Sequence, residues 1–199
     1  MLPASGPGAS RPPGIYFRPK VIFNANTSQY VLWINHLPEA PTPLAAYPHA
    51  GYVVATSRSP LGPFTVTTHR ASVAYSGGGD LTLFVDPRDS GAAYIAYDAW
   101  ENSHRVSIER LTDDYLDSLG NSSSTGLLSP ASNEAPIMFL RAGFYYLLFG
   151  HTCCFCKAGA GSSVYVDVVK ANWVCMLKHI GCISPPPRLP RTSRNRSYM

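Results

Sequence analysis

Two short apolar runs joined by a turn decide the fold class: DLTLFV at residues 80–85 and AYIAY at residues 93–97. Both runs are rich in aromatic and branched side chains, which favour strands. The connection DPRDSG, at residues 86–91, contains Pro, Gly and Asp, the residues that form tight turns. The pattern predicts an antiparallel β-hairpin.

The same hairpin pattern recurs before and after this one, in runs centred near Trp33 and Leu147. With Ile95 in the middle, the three second strands are spaced by about 50–60 residues, slightly above the usual period of short propeller blades. Each unit is an antiparallel meander that cannot bury both of its faces alone. The sequence therefore predicts an all-β fold, and periodicity leaves a β-propeller and a β-sandwich as alternatives.

Composition and charge exclude several classes of protein. The hydrophobic fraction is 45% and the charged fraction is 14%, which is not the composition of a disordered chain. Four arginines near the C-terminus, at positions 188, 191, 194 and 196, supply most of the formal charge of +4, so no nucleic-acid surface is predicted on the body of the chain. The sequence contains no run of about 18 apolar residues, so no membrane span is predicted.

Three regions are predicted along the chain. Residues 1–14 form a flexible leader rich in Pro and Gly, without the apolar run of a signal peptide. Residues 15–168 hold a partial propeller of about three blades. Residues 169–199 form an irregular, disordered tail rich in Pro and Arg.

Two acidic residues precede apolar strands in successive repeats. Asp80 comes directly before LTLFV and Glu134 directly before APIMF, and they are 54 residues apart, about one blade. In a propeller, the first strand of each blade lines the central channel, so both carboxyl groups are expected at one axial site. Two carboxyl groups in one pocket suit glycoside hydrolysis, where one donates a proton and another stays ionised. Alternatively, each acid is a turn residue or a solvated loop charge.

Motifs within residues 15–168 resemble the β-1,3-galactanase branch of glycoside hydrolase family 43. Their order and spacing make the resemblance specific. They are RPKVIFN at 18–24, YVLW at 30–33, SPLGPF at 59–64, DLTLFVD at 80–86, LTDDYL at 111–116 and EAPIMF at 134–139.

The resemblance implies a five-bladed propeller, truncated here to about three blades. It implies an inverting glycosidase for galactan-like or related polysaccharide or oligosaccharide, extracellular or in the secretory pathway, without a cofactor and monomeric if complete. On the matching positions, Glu134 is the general acid, and Asp80 tunes the pKa of that acid and orients the substrate. Arg18, in the RPK motif, is assigned to substrate binding.

The chain departs from the family where the general base is concerned. Family members often carry Glu directly before the RPK motif, where this chain has Phe17, and no base is recognised elsewhere. The alternative to a hydrolase is a non-catalytic carbohydrate-binding or structural propeller fragment, in which Asp80 and Glu134 only hydrogen-bond sugars. A third alternative is an unstable truncated product without activity.

Four further residues are candidates for substrate contacts. Glu101 and Asp98 lie at a hairpin end and are predicted to contact sugar hydroxyls, while Trp100 between them would stack on a pyranose ring; the alternative is an exposed loop. His151 follows the second strand of the third repeat and could point at the channel, with a structural role as the alternative.

The five cysteines leave one thiol over if the others pair. Disulfide bonding suits a secreted protein, and free thiols or a zinc site with His151 are the alternatives. Adjacent cysteines are poorly spaced for one tetrahedral ion, so no metal is predicted. The cysteines are Cys153, Cys154, Cys156, Cys175 and Cys182.

Overall fold

Ten antiparallel strands form the part of the chain that the computed structural model describes, residues 11–152 and 165–170. Their lengths of 4 to 11 residues follow the short apolar runs of the sequence. The strands are β1 (Gly14–Asn24), β2 (Gln29–Pro38), β3 (Gly51–Ser57), β4 (Thr65–Thr68), β5 (Gly78–Val85), β6 (Ala93–Ala99), β7 (Arg105–Arg110), β8 (Asn133–Arg141), β9 (Phe144–His151) and β10 (Tyr165–Lys170).

The strands form three separate sheets in chain order: β1–β2–β3–β4, β5–β6–β7 and β8–β9–β10. We call them blades 1, 2 and 3. Every strand pairs with its sequence neighbour, so each blade is a meander. The prediction of an all-β chain with about three propeller blades is confirmed. Between the described strands lie one α-helical turn, Pro43–Ala46, and three 3-10 turns, Tyr47–His49, Trp100–Asn102 and Gly120–Ser122. No helix among the described residues is long and apolar enough to cross a membrane.

The apolar faces of neighbouring blades pack against each other. Trp33 of blade 1 is fully buried against Ile95 and Tyr97 of blade 2, and its indole Nε1 donates to the carbonyl oxygen of Tyr115 over 2.8 Å. A second cluster joins blades 2 and 3 through Ile108, Leu147 and their neighbours. Burial of about 25 cal/mol per Å² of apolar surface makes these two interfaces the main source of stability.

Ser and Thr side chains complete the outer edge of blade 2. Residues 120–129 run alongside β7 and bond to it. The backbone N–H of Val106 donates to Oγ of Ser129 at 2.8 Å, and that of Ile108 donates to Oγ1 of Thr125 at 3.1 Å. The hydroxyl groups satisfy an edge strand without a further regular strand, which explains the Ser/Thr-rich composition of this segment.

Candidate functional site at one end of the blades

Each blade carries a β-bulge at the same place in its first strand. The pairing of the first strand with the second shifts by one residue between Phe17 and Lys20 in β1, and between Gly78 and Leu81 in β5. The equivalent shift in β8 lies between Glu134 and Ile137. A bulge bends the strand and re-aims its side chains, and bulges are frequent next to active sites.

The bulges fix which residues of the blades correspond. Glu134 pairs with Gly150, as Gly78 pairs with Ala99 and Phe17 with Asn35. The counterpart of Glu134 in blade 2 is therefore Gly78, not Asp80. The prediction that Asp80 and Glu134 occupy equivalent positions is wrong by two residues, because the extra residue of a bulge cannot be seen in spacing alone.

Asp80 lies inside the bulge of blade 2 and is paired with Arg18 from the bulge of blade 1. The Nε of Arg18 donates to Oδ1 of Asp80 over 2.7 Å. Arg18 adopts a left-handed backbone conformation with φ of 54°, and its side chain is 58% exposed. The structure thus places both predicted residues together, with the predicted substrate-binding cation already bonded to the predicted tuning carboxylate.

Close packing explains the glycine run that precedes Asp80. A β-carbon on Gly78 would lie 2.7 Å from the ring of Tyr52, and one on Gly79 would lie 2.6 Å from Oδ2 of Asp98. The amide of Asn35 donates to the carbonyl oxygens of both glycines, at 2.6 and 2.7 Å. Blade 1 therefore holds the backbone of the bulge in place, and the absence of side chains leaves room for the carboxyl group of Asp98.

Asp98, His104 and Glu134 form the polar centre of the site. Each side chain contributes one polar atom to a group of three atoms that all lie within 4.8 Å of one another. The Nδ1 of His104 donates to Oδ2 of Asp98 over 2.8 Å. Asp98 is only 2% exposed, whereas His104 and Glu134 are partly exposed. Burial raises the pKa of Asp98 to about 6; the hydrogen bond and charge of His104 oppose this rise, and the charges of Glu134 and Asp80 add to it.

Asp98 is almost fully buried, and its predicted contact with a sugar stays a prediction. Its other oxygen, Oδ1, has no hydrogen-bond partner among the described residues. The imidazole and the two carboxyl groups are residue types that also occur in metal sites. In this structure the Nδ1 of His104 and Oδ2 of Asp98 are hydrogen-bonded to each other.

Trp100 and Glu101 lie at the rim of this site, in a turn after β6. The ring of Trp100 stacks on Tyr47 with centroids 4.2 Å apart and meets His104 edge to face at 4.2 Å. Glu101 accepts a hydrogen bond of 2.5 Å from Oγ of Ser76. Both residues are at the predicted end of the hairpin, and their contacts with sugars stay predictions.

His151 lies one residue beyond Gly150, the ladder partner of Glu134, and is exposed. Its Nδ1 contacts the carbonyl oxygen of Thr152 at 2.8 Å. The predicted substrate contact of His151 stays a prediction. The five cysteines, and with them the predicted disulfides, lie outside the described residues.

Sequence reasoning missed His104 and Tyr47. Ser103 and His104 both adopt the left-handed backbone conformation, and no sequence motif predicts this turn. Tyr47 lies in a Pro-rich loop and reaches Trp100 only through the packing of blade 1 on blade 2. Asn35 could have been suspected, since a buried amide inside an apolar strand requires partners.

A separate cleft of about 260 Å³ lies at the opposite end of blade 2. It is lined by Asp89, Arg110 and Asp113 among others. Strand β6 begins at this cleft, where Tyr94 pairs with Arg110, and ends at the polar cluster that contains Asp98. The cleft contains none of the predicted site residues. Its exposed carboxylate Asp113 provides a control position for experiments on the polar cluster.

The chain is similar to solved structures of family 43 glycoside hydrolases. An exo-β-1,3-galactanase from Phanerochaete chrysosporium, solved with β-1,3-galactotriose, is 28% identical, with a TM-score of 0.59 over 70% of this chain and 30% of that chain. An exo-β-1,3-galactanase from Clostridium thermocellum is 26% identical, with a TM-score of 0.58 over 76% and 35% of the two chains. A family 43 β-1,3-galactosidase with galactodeoxynojirimycin is 25% identical, with a TM-score of 0.63 over 82% and 55%.

The sequence matches no family model and no curated protein. The chain spans between 30% and 55% of the length of the three solved structures named above. Its fold is that of a family 43-like five-bladed β-propeller of the galactanase type, of which about three blades are present. The resemblance inferred from the motifs is thereby confirmed, and the fold is glycoside hydrolase-like.

Proposed function

We propose that this chain carries the proton-donating half of a glycosidase site for β-1,3-galactan or a related polysaccharide, with Glu134 as the general acid. The observation that carries the proposal is the position of Glu134. It begins the bulge of β8, is partly exposed, and has the buried carboxyl group of Asp98 within 4.8 Å. A carboxylic acid beside other carboxyl groups is suited to keep its proton until a leaving group takes it.

The proposed reaction is a single displacement with inversion. Glu134 gives its proton to the glycosidic oxygen as the bond from that oxygen to the anomeric carbon breaks. Water adds to the anomeric carbon from the opposite face and loses a proton to a base. Asp80 contributes negative charge beside Asp98, and Arg18, bonded to Asp80, limits that charge and orients its carboxylate.

The general base is not assigned to any residue described here. Inversion requires two carboxyl groups about 6.5–9.5 Å apart, with room for water between them. Asp98 lies within 4.8 Å of Glu134 and is buried, so it is too close and too enclosed for that role. This spacing favours a second candidate function, non-catalytic binding of the same saccharides.

The sugar-binding surface would lie between Glu134 and the stacked rings of Tyr47 and Trp100. Aromatic rings beside carboxyl groups suit a pyranose, which offers an apolar face and hydroxyl donors. We place the protein outside the cell or in the secretory pathway, where such polysaccharides occur, and treat a saccharide as its partner.

Hydrolysis of β-1,3-galactan and a panel of aryl glycosides by the purified chain tests this function. We expect turnover by the native chain and its loss in Glu134→Gln, since an amide cannot supply the proton. Asp113→Asn, in the distant cleft, is the matched control and should leave turnover unchanged. Saccharide affinity without turnover would favour the binding function, and full turnover by Glu134→Gln would remove Glu134 from its role.

A further inference from the structure

Asp98 occupies a position that the other two blades fill with apolar side chains. The first residue pair after the bulge is Lys20 with Trp33 in blade 1, Leu81 with Tyr97 in blade 2 and Ile137 with Leu148 in blade 3. Trp33, Tyr97 and Leu148 therefore occupy corresponding positions of the second strands. The next residue along the second strand is Ile34 in blade 1, Asp98 in blade 2 and Phe149 in blade 3. The fold therefore accepts an apolar residue here and does not require a carboxyl group.

A carboxyl group at this position carries an energetic cost. Removing an ionised carboxylate from water is unfavourable unless partners replace its hydration. Asp98 is 2% exposed and has one such partner, His104, while its Oδ1 has none among the described residues. A costly residue that the fold does not need is a candidate for a functional role.

His104 connects Asp98 to the strand that carries Glu134. Its carbonyl oxygen accepts the backbone N–H of Asn133 over 2.7 Å, and Asn133 directly precedes Glu134. Ser103 and His104 both adopt the left-handed conformation, with φ of 61° and 53°. Two consecutive non-glycine residues in this region store strain, which is typical of functional sites.

We propose that Asp98 and Glu134 form an electrostatically coupled pair of carboxyl groups, and that His104 holds and orients the carboxyl group of Asp98. Asp98 and His104 are thus positioning residues for the general acid, an inference that rests on the proposed function. It assigns Asp98 an indirect role in place of the predicted contact with a sugar.

Coupling follows from the distance and the burial. Two carboxylates with oxygens within 4.8 Å of each other repel strongly in a site that is shielded from water, so the ionisation of one opposes the ionisation of the other. The N–H of His104 donates to Asp98 and opposes the effect of its burial. Glu134 is the member of the pair that a substrate can reach.

The charges around Asp98 agree with this arrangement. Asp80, from β5, and Glu134, from β8, raise the pKa of Asp98 beyond the effect of burial, while His104 lowers it. Arg18 faces Asp80 from β1, and Tyr52 faces the site from β3, where Asp98 adds to the rise of its pKa. The charge of ionised Glu134 thus favours the protonated form of Asp98, which is the coupling that the proposal requires.

A carboxyl-carbon NMR titration of Asp98 in the folded chain tests the pair without any need for turnover. A coupled pair loses its protons in two steps, and the signal of Asp98 should respond to both. In Glu134→Gln only one titration step of Asp98 should remain. This step should lie at least about half a pH unit below the upper step of the native chain, because a unit charge at this distance has an effect of that size even in bulk water. Asp113→Asn should change nothing.

His104→Asn tests the role of the hydrogen bond from His104 to Asp98, since Asn tolerates the left-handed conformation. Without the imidazole donor, the Asp98 step should move to higher pH. If Glu134→Gln leaves the Asp98 titration as in the native chain, the pair does not exist. If His104→Asn leaves the Asp98 titration unchanged, His104 does not stabilise the ionised form of Asp98. The hydrolysis assay decides separately whether Glu134 is a general acid, so the two proposals fail by different measurements.

Discussion

Arg18 of blade 1 and Asp80 of blade 2 are joined by a hydrogen bond of 2.7 Å between Nε and Oδ1. The two residues lie in corresponding bulges of neighbouring blades. This ion pair fixes the carboxylate that contributes negative charge to the polar centre at Asp98, His104 and Glu134. Since the guanidinium is 58% exposed, the pair has a small effect on folding stability and its interest lies in the site.

Replacement of Asp80 by Asn should lower the pKa of Asp98. The charge of Asp80 raises the pKa of Asp98, so its removal should move the Asp98 titration below about 6. In a chain that hydrolyses galactan, the pH optimum should fall in the same direction. Carboxyl-carbon NMR and pH–rate profiles measure the two effects. An Asp98 titration that is identical in Asp80→Asn and the native chain would contradict this electrostatic role.

Asp98 should make the free energy of unfolding depend on pH. Its pKa in the folded chain is about 6, above the ordinary value of 3.8, so the folded state favours the protonated form. Stability from this group is therefore present below pH 4, falls as the pH rises from about 4 through 6, and stays low above that range. The difference amounts to about 2–3 kcal/mol, since one pKa unit corresponds to 1.36 kcal/mol.

Asp98→Asn removes this titration and should gain about 2 kcal/mol in stability relative to the native chain between pH 4 and pH 8. Urea denaturation at a series of pH values provides the measurement. Asp113→Asn serves as the control, because the Asp113 side chain is 92% exposed and should leave the pH dependence unchanged. Parallel pH curves for the native chain and Asp98→Asn would disprove the assignment.

Trp33→Phe should destabilise the interface between blades 1 and 2. Trp33 is fully buried, and its loss leaves the carbonyl oxygen of Tyr115 without its donor and a cavity in the core. We expect a loss of about 2–4 kcal/mol in the free energy of unfolding. Leu61→Ala, at a side chain that is 89% exposed, should cost little. Equal stability of the two variants would mean that the interface contributes less than its burial indicates.

Ser129→Ala should weaken the outer edge of blade 2. It removes the buried oxygen that accepts the backbone N–H of Val106, and an unsatisfied buried donor costs about 1–3 kcal/mol. Hydrogen exchange should show faster exchange of the Val106 amide than in the native chain. Ser122→Ala, at an exposed position, is the matched control. Unchanged protection of Val106 would argue against the side-chain bond.

The order of the strands could be predicted from the sequence because local patterns determine it. The runs around Trp33, Ile95 and Leu147 predict hairpins, and all three form second strands. The bulges could not be predicted, since they lie ahead of the apolar run of each first strand, where no alternation of apolar residues exists for a one-residue insertion to interrupt. This is why Asp80 was matched with Glu134, whereas the ladder matches Gly78 with Glu134.

By itself, the sequence determined the all-β class, the repeat of about three meanders, the resemblance to family 43 and the approximate place of Glu134, Asp80 and Arg18. These properties depend on residues close together in the chain or on motifs in a fixed order. Only the tertiary structure decided that Glu134 lies beside the pair of Asp98 and His104. The pair itself forms at the turn between β6 and β7, whereas the approach of Glu134 depends on the packing of blade 3 on blade 2, and packing across distant segments is not encoded in any local pattern.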